Sequence, residues 1–377
     1  MASDKQDKVL NVPTLRFPEF TDKWKECELQ DVASISKGAG ISKDQLSNTG
    51  EPCILYGELY TKYKSEVITD VLSKTDIETA NLVRSKANDV IIPSSGETAI
   101  DISTARCVPF DNILLGGDLN ILRLKEQDGR FFSYQLNGVR KLDIAQIAQG
   151  VSVVHLYGES LKRLKVRYPS RSEQEKISSL LASIDERITT QSRVIDKLES
   201  LIRGLEQQLL KPKGNWRICT IGDVLAIGSG KDYKHLSAGD IPVYGTGGYM
   251  LSVSDYLYDG DSVCIGRKGT IDKPLFMKGK FWTVDTLFYT YGFRDILPRY
   301  SYFLFQTINW QKYNEASGVP SLSKDTIERI RIAIPDIDEQ KRICLILDSI
   351  AEKVAIERSI QEQLVKEKNY LLRTMFV

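Results

Sequence analysis

The residues of this sequence best suited to chemistry are basic side chains set among glycine turns. Residues 262–281 carry Arg267, Lys268, Lys273, Lys278 and Lys280 against the single acid Asp272. A second group, Gly230-Lys231-Asp232-Tyr233-Lys234-His235, is followed by Tyr244-Gly245-Thr246-Gly247-Gly248-Tyr249. The corresponding loops in the first half of the chain offer Lys37, Lys43, Ser94, Ser95, Thr98 and Arg106. Cationic groups neutralise phosphates, and glycine turns bring backbone amides and hydroxyls close to base edges. The chemistry expected is therefore contact with nucleic acid rather than bond-making. For any single one of these residues, solvated surface is the ordinary reading.

Motifs for catalysis fail on inspection. Gly228-Ser229-Gly230-Lys231 lacks the interval and the Ser/Thr of a phosphate loop. Pro335-Asp336 with Glu339-x-Lys341 is too closely spaced for a nuclease carboxylate set, and these residues open a helix. The Asp/Asn-Pro-Pro-Tyr/Phe element of amino-methyltransferases, G-x-S-x-G and H-E-x-x-H do not occur. His155 and His235 fall in different halves of the chain and form no legible dyad. The six cysteines are far apart with no C-x-x-C pair, which fits reduced thiols and argues against zinc or a disulfide framework. Neither a catalytic residue nor a metal ligand is expected. No apolar run approaches the roughly 18 residues of a membrane span, and the polar start Met1-Ala2-Ser3-Asp4-Lys5 is unlike a signal peptide. A cytoplasmic protein with no membrane partner is expected.

The 377 residues are more than one ordinary domain, and 42% hydrophobic with 27% charged residues is a globular composition. The net charge of +1 argues, taken alone, against a strongly basic nucleic-acid binder. By segment, residues 24–168 hold 18 basic and 19 acidic residues, and residues 216–335 hold 14 and 12. The basic character is local.

The elements that must position these loops come in two copies. Trp24-Lys-Glu-Cys27-Glu-Leu-Gln-Asp31-Val32 returns as Trp216-Arg-Ile-Cys219-Thr-Ile-Gly-Asp223-Val224, and the match continues through Ile35/Ile227 and Gly38/Gly230. Pro169 to Glu186 returns as Pro335 to Glu352, with eight identities in eighteen positions. The two matches keep the same order, so the chain reads as domain, helix, domain, helix. Short β-like runs broken by glycine, such as Asp89-Val-Ile-Ile-Pro93 and Asp261-Ser-Val-Cys-Ile265, make each domain mixed α/β.

The first helix, about 172–210, has the seam Ile177, Leu181, Ile184, Ile188, Gln191, Ile195, Leu198, Ile202, Leu205 and Leu209, spaced 4, 3, 4, 3 as in a coiled coil. The second, about 340–374, carries Ile343, Leu347, Ile350, Val354, Leu364, Leu371 and Met375. There Glu357 and Gln361 occupy seam positions while Ile356 and Ile360 fall off them, which predicts a local shift of the stripe. Ser170 with Glu173, and Asp336 with Glu339, predict capping boxes. At 1.5 Å per residue the helices would be roughly 58 and roughly 52 Å long. Neither can bury its stripe alone, so an antiparallel pair is expected, with the repeats related by an approximate two-fold axis. The fold class is thus α+β: two globular mixed α/β domains separated by two long antiparallel coiled-coil helices, a pseudo-two-fold internal repeat. The expected divisions are an arm at 1–23, a domain at 24–168, a helix at 169–211, a linker and second domain at 212–335, and a helix at 336–377.

This arrangement resembles the specificity (S) subunit of type I restriction-modification systems. The resemblance is carried by Pro13-Thr-Leu-Arg-Phe-Pro-Glu-Phe20 before Trp24 and by the doubled Trp-x-x-Cys-x-Leu/Ile-x-Asp-Val start. It also rests on Gln149-Gly150-Val-Ser before Leu161-Lys-Arg-Leu-Lys-Val166, and on Gly318-Val-Pro-Ser-Leu-Ser323 before Ile327-Glu-Arg-Ile-Arg-Ile332. Most specific is Pro-x-x-x-Glu-Gln-x-x-Ile opening each helix. The resemblance implies two target recognition domains, each reading one half of a split sequence in double-stranded DNA. The helices would be a spacer and a docking surface for two copies of a methyltransferase (M) subunit using S-adenosylmethionine. Two copies of a restriction (R) motor-nuclease subunit, using ATP and Mg, would complete the assembly. The chain itself would bind no cofactor and catalyse nothing. Half-sites about one DNA turn apart are expected. Two other readings stay open at this stage: a protein–protein scaffold with no DNA binding, and an enzyme whose active site is split between the repeats.

Overall fold

The computed structural model describes residues 12–78 and 81–377, so residues 1–11 of the expected arm lie outside the described residues. The chain divides into two compact units, one reaching to Ser192 and including Ile360–Val377, the other Arg193–Ser359. Each is mixed α/β.

The strands of the first unit are β1 (Lys25–Glu28), β2 (Ala33–Lys37), β3 (Glu51–Ile54), β4 (Ser73–Thr75), β5 (Asp89–Pro93), β6 (Ser95–Gly96), β7 (Arg106–Val108), β8 (Leu114–Leu115), β9 (Leu119–Leu124), β10 (Val154–His155) and β11 (Lys165–Tyr168). They form a four-stranded sheet in the order β2-β9-β5-β7 and a three-stranded sheet in the order β4-β3-β8, in which β3 and β8 are parallel. β1 pairs antiparallel with β11, joining the two ends of the domain. The Val-Ile-Ile run of β5 is buried on both faces, as an unbroken apolar strand requires.

The second unit repeats the plan. Its strands are β12 (Arg217–Thr220), β13 (Ala226–Ser229), β14 (Ala238–Gly245), β15 (Gly248–Val253), β16 (Tyr258–Asp259), β17 (Ser262–Gly266), β18 (Leu275–Met277), β19 (Lys280–Thr283), β20 (Leu287–Tyr291) and β21 (Arg331–Ile334). One sheet runs β13-β20-β17-β18 and the other β15-β14-β19-β16, with β14 and β19 parallel; β12 pairs with β21. A shared glycine has a shared cause. A Cβ on Gly38 would lie 2.0 Å from the carbonyl oxygen of Gly116, and one on Gly230 would lie 1.9 Å from that of Val284. Only glycine permits the backbone to pass so closely.

The helices Arg171–Leu209 and Ile337–Thr374 are 39 and 38 residues long, the second beginning three residues before its expected start. In the first unit they run antiparallel: Asp185 meets Lys368, and Ser192 meets Gln361. In the second unit Arg358 bonds Glu199, and Leu205, Leu209 and Leu210 share a core with Ile343 and Leu347. Ile177, Leu181, Ile184 and Ile195 are buried on the first helix, and Ile343, Leu347, Val354, Leu364 and Leu371 on the second. Ile188, Leu198, Ile202, Leu205, Leu209 and Ile350 are half-buried.

Two sequence expectations are corrected here. The stripe of the second helix does not shift: Ile356 is 60% and Ile360 38% exposed, while Glu357 and Gln361 remain on the half-buried seam. Gln361 stays because its Nε2 donates to Ser192 Oγ at 2.6 Å. The expected capping boxes do not form in full. Glu173 is buried and accepts from Arg16 Nε and Nη2 at 2.7 Å and from Trp24 Nε1 at 3.4 Å, so it ties the arm to the helix. Asp336 does cap its helix by accepting from the Glu339 amide at 2.9 Å, but the Glu339 carboxylate turns to Arg342.

The glutamine of the doubled motif is a lock. Gln174 donates to the Pro169 carbonyl at 2.9 Å and accepts from the Asp128 amide at 3.0 Å. Gln340 donates to the Pro335 and Asp295 carbonyls at 2.9 Å each and accepts from the Leu297 amide at 2.8 Å. Asp128 and Leu297 are the N-caps of the helices Gly129–Asn137 and Pro298–Thr307. The same bonds therefore seat each long helix on its own domain.

Candidate nucleic-acid interface

Each unit has an open cleft at the same place in its fold. The first, about 760 Å³, lies between the Gly40–Leu46 loop after β2, the Leu55–Lys62 segment after β3 and Gly117–Asp118 before β9. The second, about 520 Å³, lies between Asp232–Lys234 after β13, Gly245–Met250 after β14 and Val284–Thr286 before β20. The frame is shared and the lining is not. Lys43, Gln45, Tyr56, Lys62 and Asp118 face the first cleft; Tyr233, Lys234, Thr246, Tyr249, Met250, Asp285 and Thr286 face the second.

Main-chain bonds fix this frame. In the first unit Ser94 N donates to Asp118 O at 2.7 Å and Leu156 N donates to Ser94 O at 2.9 Å. In the second, Arg267 N donates to Thr286 O at 2.7 Å and Leu322 N to Arg267 O at 2.9 Å. Ser94 and Arg267 are thus equivalent, as are Ser95, paired with His155, and Lys268, bridged to Ser321. A shallow hollow of about 340 Å³ beside the second cleft is lined by Ser229, Arg267, Lys268, Phe288, Glu315 and Ser321–Lys324.

The candidate residues sort by position. Lys231, Tyr233, Lys234, Thr246, Tyr249, Arg267 and Lys268 gather at the cleft end of the second unit, with Lys231 N bonded to Thr283 O and Gly230 N to Leu287 O. His235 packs edge-on against Trp282, ring centroids 5.7 Å apart. Lys278 and Lys280 do not join them. β17 pairs antiparallel with β18, so Met277 lies opposite Ser262, at the strand end away from Gly266 and Arg267. There Lys280 Nζ sits 4.8 Å from the Tyr256 ring and Lys278 Nζ 5.9 Å from that of Phe276. Lys273 is exposed between the two ends, next to Asp272, which accepts from Gln311.

In the first unit, exposed Lys37 ends β2 and Lys43 faces the cleft. Ser94 and Ser95 are buried strand-end residues. Thr98 is exposed, but its hydroxyl caps the helix Ala99–Ile102 by accepting from the Asp101 amide at 3.1 Å. Arg106 is an interior residue, which corrects its assignment to a contact loop. Its guanidinium donates to the carbonyls of Leu59 at 3.1 Å, Ala105 at 3.3 Å and Tyr63 at 3.0 Å. Burial pushes its pKa below the ordinary arginine value, against the pull of Glu66 and Asp185. Glu58 is likewise committed, accepting from the Leu55 amide at 3.1 Å and from Lys62 at 2.6 Å. The sequence reading missed Gln45, Tyr56, Asp118, Asp285 and Thr286, because only the folded strand ends bring them to the clefts.

Among the described residues no group of three or more His, Cys, Asp or Glu side chains is placed to hold a metal ion, and no helix is long and apolar enough to cross a membrane. All six cysteines are free thiols.

Residues 21–200 and 213–366 each match the family described as the type I restriction modification DNA specificity domain. A curated relative, the type I restriction enzyme EcoprrI specificity subunit of Escherichia coli, is 24% identical over 140 residues, which is 34% of each chain. The match thus spans about a third of that relative's length. The crystal structure of a type I restriction-modification system S subunit from M. genitalium superposes with a TM-score of 0.70 at 17% identity, covering 97% of this chain and 99% of that one. A structure reported for complex assembly and conformational transition of the type I R-M system gives a TM-score of 0.57 at 13% identity, covering 93% and 96%. Both structures share the fold of this chain. Two family matches lie in register with two domains of equal topology, and the chain belongs to the type I restriction-modification DNA specificity family.

Proposed function

We propose that this chain is the DNA sequence-recognition subunit of a type I restriction-modification complex. The observation that carries the reading is the doubled cleft: one frame of strand ends and main-chain bonds, lined by different side chains in the two units. Such a pair suits a bipartite, asymmetric target in double-stranded DNA, with one half-site per domain. The two long helices dock two methyltransferase subunits, which bring S-adenosylmethionine; two motor-nuclease subunits bring ATP and Mg. The chain catalyses nothing itself and works in the cytoplasm. In this role it decides where its partners act.

The test is methylation-site mapping in cells carrying this chain and its methyltransferase partner. A two-part motif with unlike halves is expected. Substituting Lys43 or Tyr56 would alter one half alone, and substituting Tyr249 or Thr246 the other. A single palindromic motif, or none, would overturn the reading. Inserting one heptad into both helices would lengthen the gap between halves without changing either. Because phosphate neutralisation supplies most non-specific affinity and the net charge is only +1, the isolated chain binds DNA weakly and salt-sensitively.

A further inference from the structure

The geometry points to Val151 and Val319 as DNA-contacting residues, each laying its isopropyl group against the 5-methyl group of a thymine in the major groove. The inference rests on the DNA-reading role proposed above and names residues within it. Val151 follows Gly150 and Val319 follows Gly318, in the loops 150–154 and 316–320 that the bonded pairs Gln149/His155 and Glu315/Ser321 make equivalent; by position the counterpart of Val319 is Val153, itself 52% exposed. Val151 is 96% and Val319 66% exposed. Single exposed valines are ordinary on a protein surface. Two at the same loop tip of duplicated domains, where neither serves folding, call for a shared cause.

Both tips are held from below. Gln149 and His155 exchange main-chain bonds of 2.9 and 2.7 Å, and the chain turns at Gly150 with φ +124°. In the second unit Glu315 N donates to Ser321 O at 2.9 Å, while Asn314 Oδ1 accepts from the amides of Ala316 at 3.1 Å and Ser321 at 2.9 Å. A tip pinned at its base loses little freedom on docking. Each loop is tied in turn to the cleft of its own unit, through Ser94 in one and Arg267 in the other. Apolar tip and polar cleft therefore belong to one bonded frame, and in the second unit Lys268 stands beside the tip as a phosphate partner. An isopropyl group reads neither donors nor acceptors. The apolar group that base pairs display in the major groove is the thymine methyl.

The test uses the full chain with its methyltransferase partner on duplexes carrying the mapped target, each thymine replaced in turn by uracil, which lacks only the methyl group. One uracil position in each half-site is expected to weaken wild-type binding about fourfold, the worth of one buried methyl group. Val151→Ser should abolish that effect in one half-site and Val319→Ser in the other, with melting temperatures unchanged. If the scan is the same in wild type and variants while Lys268→Ala still weakens binding, the valine contact is overturned and DNA reading stands. If the variants lose the methyltransferase subunit while the free chain binds DNA as before, the tips are protein contacts and the inference is equally overturned. If no duplex is bound selectively by any form, DNA reading itself fails, and the inference with it.

Discussion

Lys368 donates to Asp185 at 2.5 Å across the helix pair of the first unit, at a seam position where heptads call for an apolar side chain. Glu66 takes a second bond from the same ammonium group, and Tyr134 Oη donates to Asp185 at 2.7 Å. The second repeat has Ile202 and Ala351 at the equivalent positions, so this ionic cluster belongs to the first unit alone. Removing one partner strands buried charge: Lys368→Ala should cost about 3–5 kcal/mol in urea unfolding. Lys368→Ile with Asp185→Ala and Glu66→Gln should recover most of it.

The same cluster sets a pH dependence. Burial alone would lower the Lys368 pKa, but Glu66 and Asp185 outweigh it and hold the pKa above the ordinary lysine value. A raised lysine contributes stability that is complete below its unfolded value and lost as pH rises through the folded one. Unfolding midpoints should therefore fall more steeply in strong alkali for wild type than for the triple variant.

The glutamine locks predict an unusual cost for a polar substitution. Gln340→Ala leaves the Leu297 amide and two carbonyls without partners, and should destabilise the second unit by about 3 kcal/mol. Gln340→Glu keeps the acceptor but loses the donor, so it should fall between wild type and alanine by calorimetry.

Two basic residues should behave oppositely. Arg106→Met strips the Leu59 and Tyr63 carbonyls of their side-chain donor, while that of Ala105 keeps Asn137 Nδ2 at 2.6 Å, and should cost about 3 kcal/mol of stability in the first unit. Lys268→Ala, exposed beside the second cleft, should change stability by no more than about 0.5 kcal/mol. Its effect should appear in DNA binding, with the salt dependence shallower by about one ion.

On the second helix, Ile356→Lys with Ile360→Lys should leave the melting temperature nearly unchanged, because both side chains lie off the seam. Leu364→Asp, on the buried seam, should lower it markedly in the same measurement.

Much of this fold was legible because periodicity and repetition record backbone geometry. Gly38 and Gly230 match in sequence since an equivalent carbonyl, of Gly116 and of Val284, crosses close to each. The heptads located both helices. Chemistry was less legible, because charge does not report burial. Arg106 reads in the sequence as a surface cation, yet its guanidinium lies among main-chain carbonyls. Lys278 and Lys280 group with Lys268 in sequence, but the β17–β18 pairing places them at the other strand end. Gln361 suggested a shifted stripe because its partner, Ser192, is 169 residues away. Long-range partners of this kind leave no local pattern.

The frame that carries both clefts is held by main-chain atoms: Ser94 and Arg267 make the same two backbone bonds with unlike side chains. Exposed side chains beside these strand ends, such as Lys268, are thereby relieved of folding duty, and mutation can replace them at little thermodynamic risk. A protein built this way is evolvable at the positions that matter for choice. New preferences can arise by drift at the loop tips, one half-site at a time, while the scaffold beneath stays the same.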